Sequence, residues 1–166
     1  MLKNLFFVSL GFFATLLTAC SLGSSLTGVT DSTQEFSNKV SAIALAESRL
    51  YQNYTDSISL TEGWDKTKLL ESSTNFVTAF NDLDKLVNTG KFSEDFADVI
   101  DEYTDNYMPL LSDYTGMVQS FSNSVSSGGL TFELLNQFHG DWEKYSSDFV
   151  KEQKSITDLI KSIIGG

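Results

Sequence analysis

From Ser32 onward the apolar residues recur at alternating steps of four and three, and no other property of the chain restricts its accessible folds as tightly. Phe96, Ile100, Tyr103, Tyr107, Leu110, Tyr114, Met117 and Phe121 form an unbroken series. Phe138, Trp142, Tyr145, Phe149, Ile156, Leu159 and Ile163 form a second, interrupted at Glu152. Leu69, Phe76, Phe80, Leu83 and Val87 form a third with Ser73 as its gap, and Phe36, Val40, Ile43, Leu50 and Tyr54 a fourth with Glu47 as its gap. A step averaging about 3.5 residues places each series on one stripe of a helix and favours helices crossing at shallow angles with a left-handed twist. The two-residue alternation of strands, with its turn pairs, is absent from the sequence.

The residues between the series punctuate the same helices. Ser32 with Glu35 has the form of a capping box, in which each side chain satisfies a free backbone N–H of the other residue. Ser93 before Glu94 and Asp95, and Thr131 before Glu133, place a capping oxygen and then negative charge at the positive end of a helix dipole. Gly90 and the pair Gly128-Gly129 stand where the patterns stop, as residues able to take positive φ. The stretch from Ile58 to Trp64, with Gly63, reads as the first connection. Short connections make neighbours antiparallel, so the fold expected is all-α, an up-down-up-down four-helix bundle with coiled-coil-like packing. Helices of about 25 to 35 residues would be roughly 40 to 50 Å long. The alternative is a pair of long helical hairpins that completes its core as a homodimer. Pro109 falls inside the third series, where it removes one backbone hydrogen bond and crowds the preceding turn. Because the phase continues from Tyr107 through Leu110 to Tyr114, the expectation is a kinked helix.

The first residues follow different rules. After Lys3, the only charge before Cys20, a continuous apolar run extends from Leu5 to Leu17, with Ser9, Gly11 and Thr15 as its interruptions. This is too short to cross a bilayer, which takes about 20 apolar residues. A positive start, a short apolar centre and a small-residue exit are the layout of a secretory signal. The exit, Leu17-Thr18-Ala19-Cys20, resembles the lipobox of bacterial lipoproteins. That resemblance implies a diacylglycerol-type modification of the Cys20 thiol, cleavage before it, and an acylated (palmitate-class) amino terminus. Cys20 is the only cysteine, so neither an internal disulfide nor a multi-cysteine metal site can use it. Two or more acyl chains, at about 0.8 kcal/mol per buried CH₂, anchor a protein stably without spanning the membrane. The expected organisation is a cleaved signal over 1–19, a lipidated cysteine and Ser/Thr/Gly-rich tether over 20–31, and the helical domain over 32–166. Ser21 after the cysteine is compatible with outer-membrane sorting where the cell has an outer membrane. In layout the whole chain is similar to the short, acidic, all-helical lipoproteins of low-GC bacteria.

A formal net charge of −11, which loss of Lys3 makes one more negative, disfavours nucleic acid and anionic lipid head groups as partners. The chain has one histidine, His139, no nucleophile elbow and no Glu-x-x-His pair, and it has no glycine-rich phosphate loop. His139 is therefore expected as a packed or half-exposed helix residue, and no catalytic set or cofactor is expected. Tyr103, Tyr107 and Tyr114 would put their rings in the core and their oxygens at the rim. Alternatively, the Pro109 kink opens a groove beside Tyr103, Tyr107 and Tyr114 for an apolar or aromatic ligand. A further candidate is the carboxylate row Asp98, Asp101, Glu102 and Asp105, spaced to line one outer helix face. Such a row attracts divalent cations, but a rigid helix rarely completes a calcium shell, and a solvated face is the simpler expectation. Together these features suggest a non-enzymatic, lipid-anchored helical module that binds a protein or other envelope component. A carrier or sensor of a small ligand or divalent cation is the second expectation.

Overall fold

The structure, a computed structural model, describes residues 31–59, 65–128 and 131–164. The signal and lipobox residues Leu17, Thr18, Ala19 and Cys20, the tether up to residue 30, and most of the first connection lie outside the described residues. Within them the chain is all-α. Helix α1 is Asp31–Ser59 and α2 is Lys66–Thr89. The third rod begins as a 3₁₀ turn, Glu94–Phe96, continues through α3 (Ala97–Glu102) and a π turn, Tyr103–Tyr107, and ends as α4, Met108–Gly128. Helix α5 is Phe132–Ile164. Among the described residues there is no strand, and no helix is long and apolar enough to cross a membrane.

The local reasons for these elements are only partly those expected. Thr131 does cap α5, its Oγ1 accepting the Leu134 N–H at 3.1 Å. Helix α2 is capped by Asp65, which accepts the Thr67 N–H at 2.7 Å. Ser32, by contrast, lies within α1, and its hydroxyl accepts the Lys91 N–H at 3.1 Å, tying the start of α1 to the turn after α2. Ser93 makes no side-chain capping bond. Gly90 does not use positive φ, since its φ is −72°. Glycine is needed there for closeness: a Cβ would stand 2.7 Å from the Leu86 carbonyl oxygen and 3.0 Å from the Phe92 ring.

The rods meet in a circuit. Helix α1 packs on α2 and α5, α2 packs also on α4, and α5 packs on α4, α3 and the π turn. Along α1 the buried stripe follows the sequence pattern residue for residue, Phe36, Val40, Ile43, Leu50 and Tyr54, with Glu47 buried in its midst. The gap in α2 is closed in another way: Ser73 is buried and donates to the Leu69 carbonyl at 2.8 Å, so its hydroxyl costs little inside.

In the third rod the stripe departs from the expected phase. Val99, Leu111, Val118 and Val125 are fully buried, while Ile100, Leu110 and Met117 are only half-buried. The π turn accounts for the change. The Met108 N–H reaches back five residues to the Tyr103 carbonyl, so this turn takes up one residue more than an α-turn. Val99, Tyr103, Tyr107 and Leu111 then fall on one line at steps of four. The widened turn immediately precedes Pro109, which has no N–H to give and whose ring would crowd a regular preceding turn. The rod accordingly stays helical through the proline.

Candidate functional site: polar groups inside the rods

Two aromatic clusters fill the regions on either side of a central polar layer. In one, Phe36 meets Phe92, Phe96 and Tyr103 edge-on, with centroids 5.4 to 6.1 Å apart. In the other, Phe121 stacks on Phe138 at 4.0 Å, and Tyr54 packs on Phe138 at 4.8 Å. Edge-to-face and offset pairs such as these contribute about 0.5–1.5 kcal/mol each beyond their area.

Four buried tyrosines cross between rods in this interior. Tyr54 of α1 donates to the Leu135 carbonyl of α5 at 3.0 Å. Tyr103 reaches Asp84 of α2 at a long 3.5 Å. Tyr107 donates to Gln153 Oε1 of α5, and Gln153 Nε2 donates in turn to the Val40 carbonyl of α1 at 3.1 Å. Tyr114 of α4 donates to Glu47 Oε1 of α1 at 3.0 Å, and the same oxygen accepts Trp142 Nε1–H of α5 at 3.3 Å. The sequence suggested hydroxyls at the rim, and this holds for Tyr103, which reaches the half-buried Asp84, but not for Tyr107 and Tyr114. All four rings fill the core, and the oxygens of Tyr54, Tyr107 and Tyr114 bond inside it. Burial raises the pKa of all four phenols, which keeps them as neutral donors.

Glu47 is the group that this layer perturbs most usefully. Burial pushes its carboxyl up from 4.5 to about 7, against the opposing effect of the bonds from Tyr114 and Trp142. Around it, Tyr51 stacks flat on Trp142 at 4.2 Å, and the Tyr114 ring lies between Phe76 at 4.9 Å and Tyr145 at 5.6 Å.

The residues singled out from sequence divide between interior and surface. Tyr103, Tyr107 and Tyr114 share the interior, and Pro109 is exposed. Tyr107 packs against Tyr103 at 6.2 Å and Phe149 at 6.1 Å. Asp98, Asp101 and Asp105 are exposed, and Glu102 turns aside to accept from Ser155 Oγ at 2.7 Å and Asn106 Nδ2 at 2.9 Å. Those bonds hold the Glu102 carboxyl below the usual range. Among the described residues no three His, Cys, Asp or Glu side chains converge as a metal site. His139 is half-exposed, with its ring face to face with Tyr54 and Trp142 and its Nε2 3.5 Å from Glu143.

Glu47, Gln153, Tyr54 and Trp142 escaped the reading of the sequence as site residues, the last two having been read as core alone. Glu47 had left a signal, a charged residue at an apolar position of α1. Gln153 had left none, because it sits one residue beyond the position that the pattern of α5 had assigned. Compared with known proteins, the chain matches no family model, no curated protein and no solved structure.

Proposed function

We propose that this chain is a membrane-anchored lipoprotein whose helical domain works as a non-enzymatic binding module of the bacterial envelope. The domain is read as an up-down-up-down four-helix bundle, held to the membrane by acyl chains on Cys20. The circuit of packed rods, each antiparallel by its short connections, supports the bundle, and Leu17-Thr18-Ala19-Cys20 supports the anchor.

The observation that carries the binding reading is the use made of the interior. Tyr54, Tyr107, Tyr114, Trp142, Gln153 and Glu47 direct their polar atoms at one another or at backbone of another rod. What such a domain offers a partner is its outside. That outside is uneven in charge, since no Lys or Arg occurs between Phe92 and Glu143 and the third rod carries only acidic charges. A field of one sign orients an approaching cationic protein surface and speeds its encounter, in a salt-dependent way.

In-cell cross-linking of the native protein, compared with Cys20→Ala, tests this reading. A defined protein partner attached to the anchored form, and membrane release of the Cys20→Ala form, is the expected result. Retention of a small apolar molecule in native mass spectrometry, with no protein cross-linked, would replace the binding module by a ligand carrier. Hydrolytic activity lost in His139→Ala would replace it by an enzyme.

A further inference from the structure

Glu47 is the only buried ionisable acid or base other than tyrosine among the described residues, and it is shared by three rods. It sits in α1, and its Oε1 takes one donor from α4 and one from α5. Both donors are neutral. The influences on its carboxyl are burial and these two bonds, with no lysine or arginine beside it. A buried carboxylate without a cation is expensive, and the group escapes the cost either by holding its proton or by reaching water.

The groups facing Glu47 can be named from each side. On α1 itself, Tyr51 lies one turn away and stacks on Trp142. The π turn contributes Tyr107, whose phenol feels the Glu47 charge. Helix α4 contributes Tyr114, and α2 contributes Phe76, against the Tyr114 ring. Helix α5 contributes Trp142, with His139 stacked on it at 6.4 Å and Glu143 beyond. Burial, then the charges of Glu47 and Glu143, raise the phenol pKa of Tyr51, and Glu143, being negative, gives Glu47 no compensation.

We propose that Glu47 is a proton-operated clasp on the seam between α1, α4 and α5, closed while its carboxyl is protonated and loosened when it ionises. The neutral acid accepts from Tyr114 and Trp142 without leaving a charge inside. The ionised form keeps both bonds but carries a negative charge that only water can relieve, so the seam yields where Tyr51 of α1 stacks on Trp142 of α5 to admit it. With a carboxyl pushed to about 7, the change falls at neutral pH, and acidification tightens the seam.

The chain has two tryptophans, Trp64 and Trp142, so a Trp64→Phe background makes Trp142 the sole reporter. The full chain in neutral detergent micelles is followed by Trp142 emission from about pH 5.5 to about 8.5, a range spanning the neutral switch. A reversible sigmoid near neutrality is expected, absent in Glu47→Gln and retained in His139→Gln. Tyr114→Phe removes a donor that favours the ionised form, and its midpoint is expected at higher pH. The δ-carboxyl ¹³C shift of Glu47 in the unaltered chain, which depends on no variant folding, is expected to move in step with the emission. A flat emission profile, a sigmoid that survives Glu47→Gln or vanishes in His139→Gln, an unmoved midpoint in Tyr114→Phe, or a carboxyl titrating in the ordinary acidic range overturns the clasp.

Discussion

A tyrosine hydroxyl inside a helical domain is a liability that a partner converts into specificity. Tyr107 shows the logic, since its hydroxyl and the Val40 carbonyl are both served by one side chain, Gln153. Removing the phenol oxygen leaves Gln153 Oε1 buried without its donor, which costs about 1–3 kcal/mol. Urea unfolding of Tyr107→Phe should show a loss of that size with an unchanged slope. Glu47 sets a pH dependence whose sign follows from linkage. Its unfolded carboxyl releases a proton near 4.5 and its folded carboxyl near 7, so between these values the folded state holds one proton more. Stability is therefore fully present below 4.5, falls as pH rises through the window, and levels off above 7, a loss of about 3 kcal/mol. Asp65, Glu102 and Asp158 are shifted the other way, by the Thr67 backbone bond, by Ser155 and by Lys154 respectively. What they contribute is lost only at lower pH, outside that window. Unfolding curves at about pH 5 and pH 8 should differ in the native chain, and Glu47→Gln should remove most of the difference by gaining stability at the higher pH.

Among the elements, α1 was the most legible, because every apolar position of its pattern is a buried position. The third rod was legible as a helix but not in phase. A π turn takes up an extra residue, and nothing in Tyr103-Thr104-Asp105-Asn106-Tyr107 announces it; the only cue is the proline that follows. In α5, Leu135, Gln153 and Ile160 are buried beside the predicted stripe, as expected of a helix packed against several neighbours, whose buried face is wider than a two-helix seam. The tyrosine cluster was legible as core, whereas its bonding was not, since a hydroxyl's partner depends on which rod lies opposite. Gly90 was read correctly as a stop and for the wrong reason. With a backbone oxygen 2.7 Å from the position of a Cβ, Gly90→Ala must shift the chain. Overpacking of this kind costs about 1–3 kcal/mol, more than the about 0.4–1 kcal/mol that the less flexible unfolded chain returns. Thermal melts should place Gly90→Ala below the native chain.

For the whole molecule, one chain closes its own circuit of rods and buries Phe36, Phe76, Leu83, Phe96 and Leu111 completely. Each large apolar side chain so buried contributes roughly 1.5–3 kcal/mol, without help from a second copy. Sedimentation of residues 31–166 should give the mass of a single chain, where a core completed by dimerisation would give twice that. Tyr107 and Tyr114 spend their hydroxyls on Gln153 and Glu47 instead of on a ligand or on water. Proton NMR of the hydroxyls tests this most directly, because a phenolic proton exchanges with water too fast to see unless it is buried and bonded. A slowly exchanging hydroxyl resonance is predicted for each of the two, with cross-peaks to the Gln153 side chain for Tyr107 and to the Trp142 indole N–H for Tyr114. Hydroxyl protons lost to water exchange at these two tyrosines would instead mean a seam open to water or to a ligand.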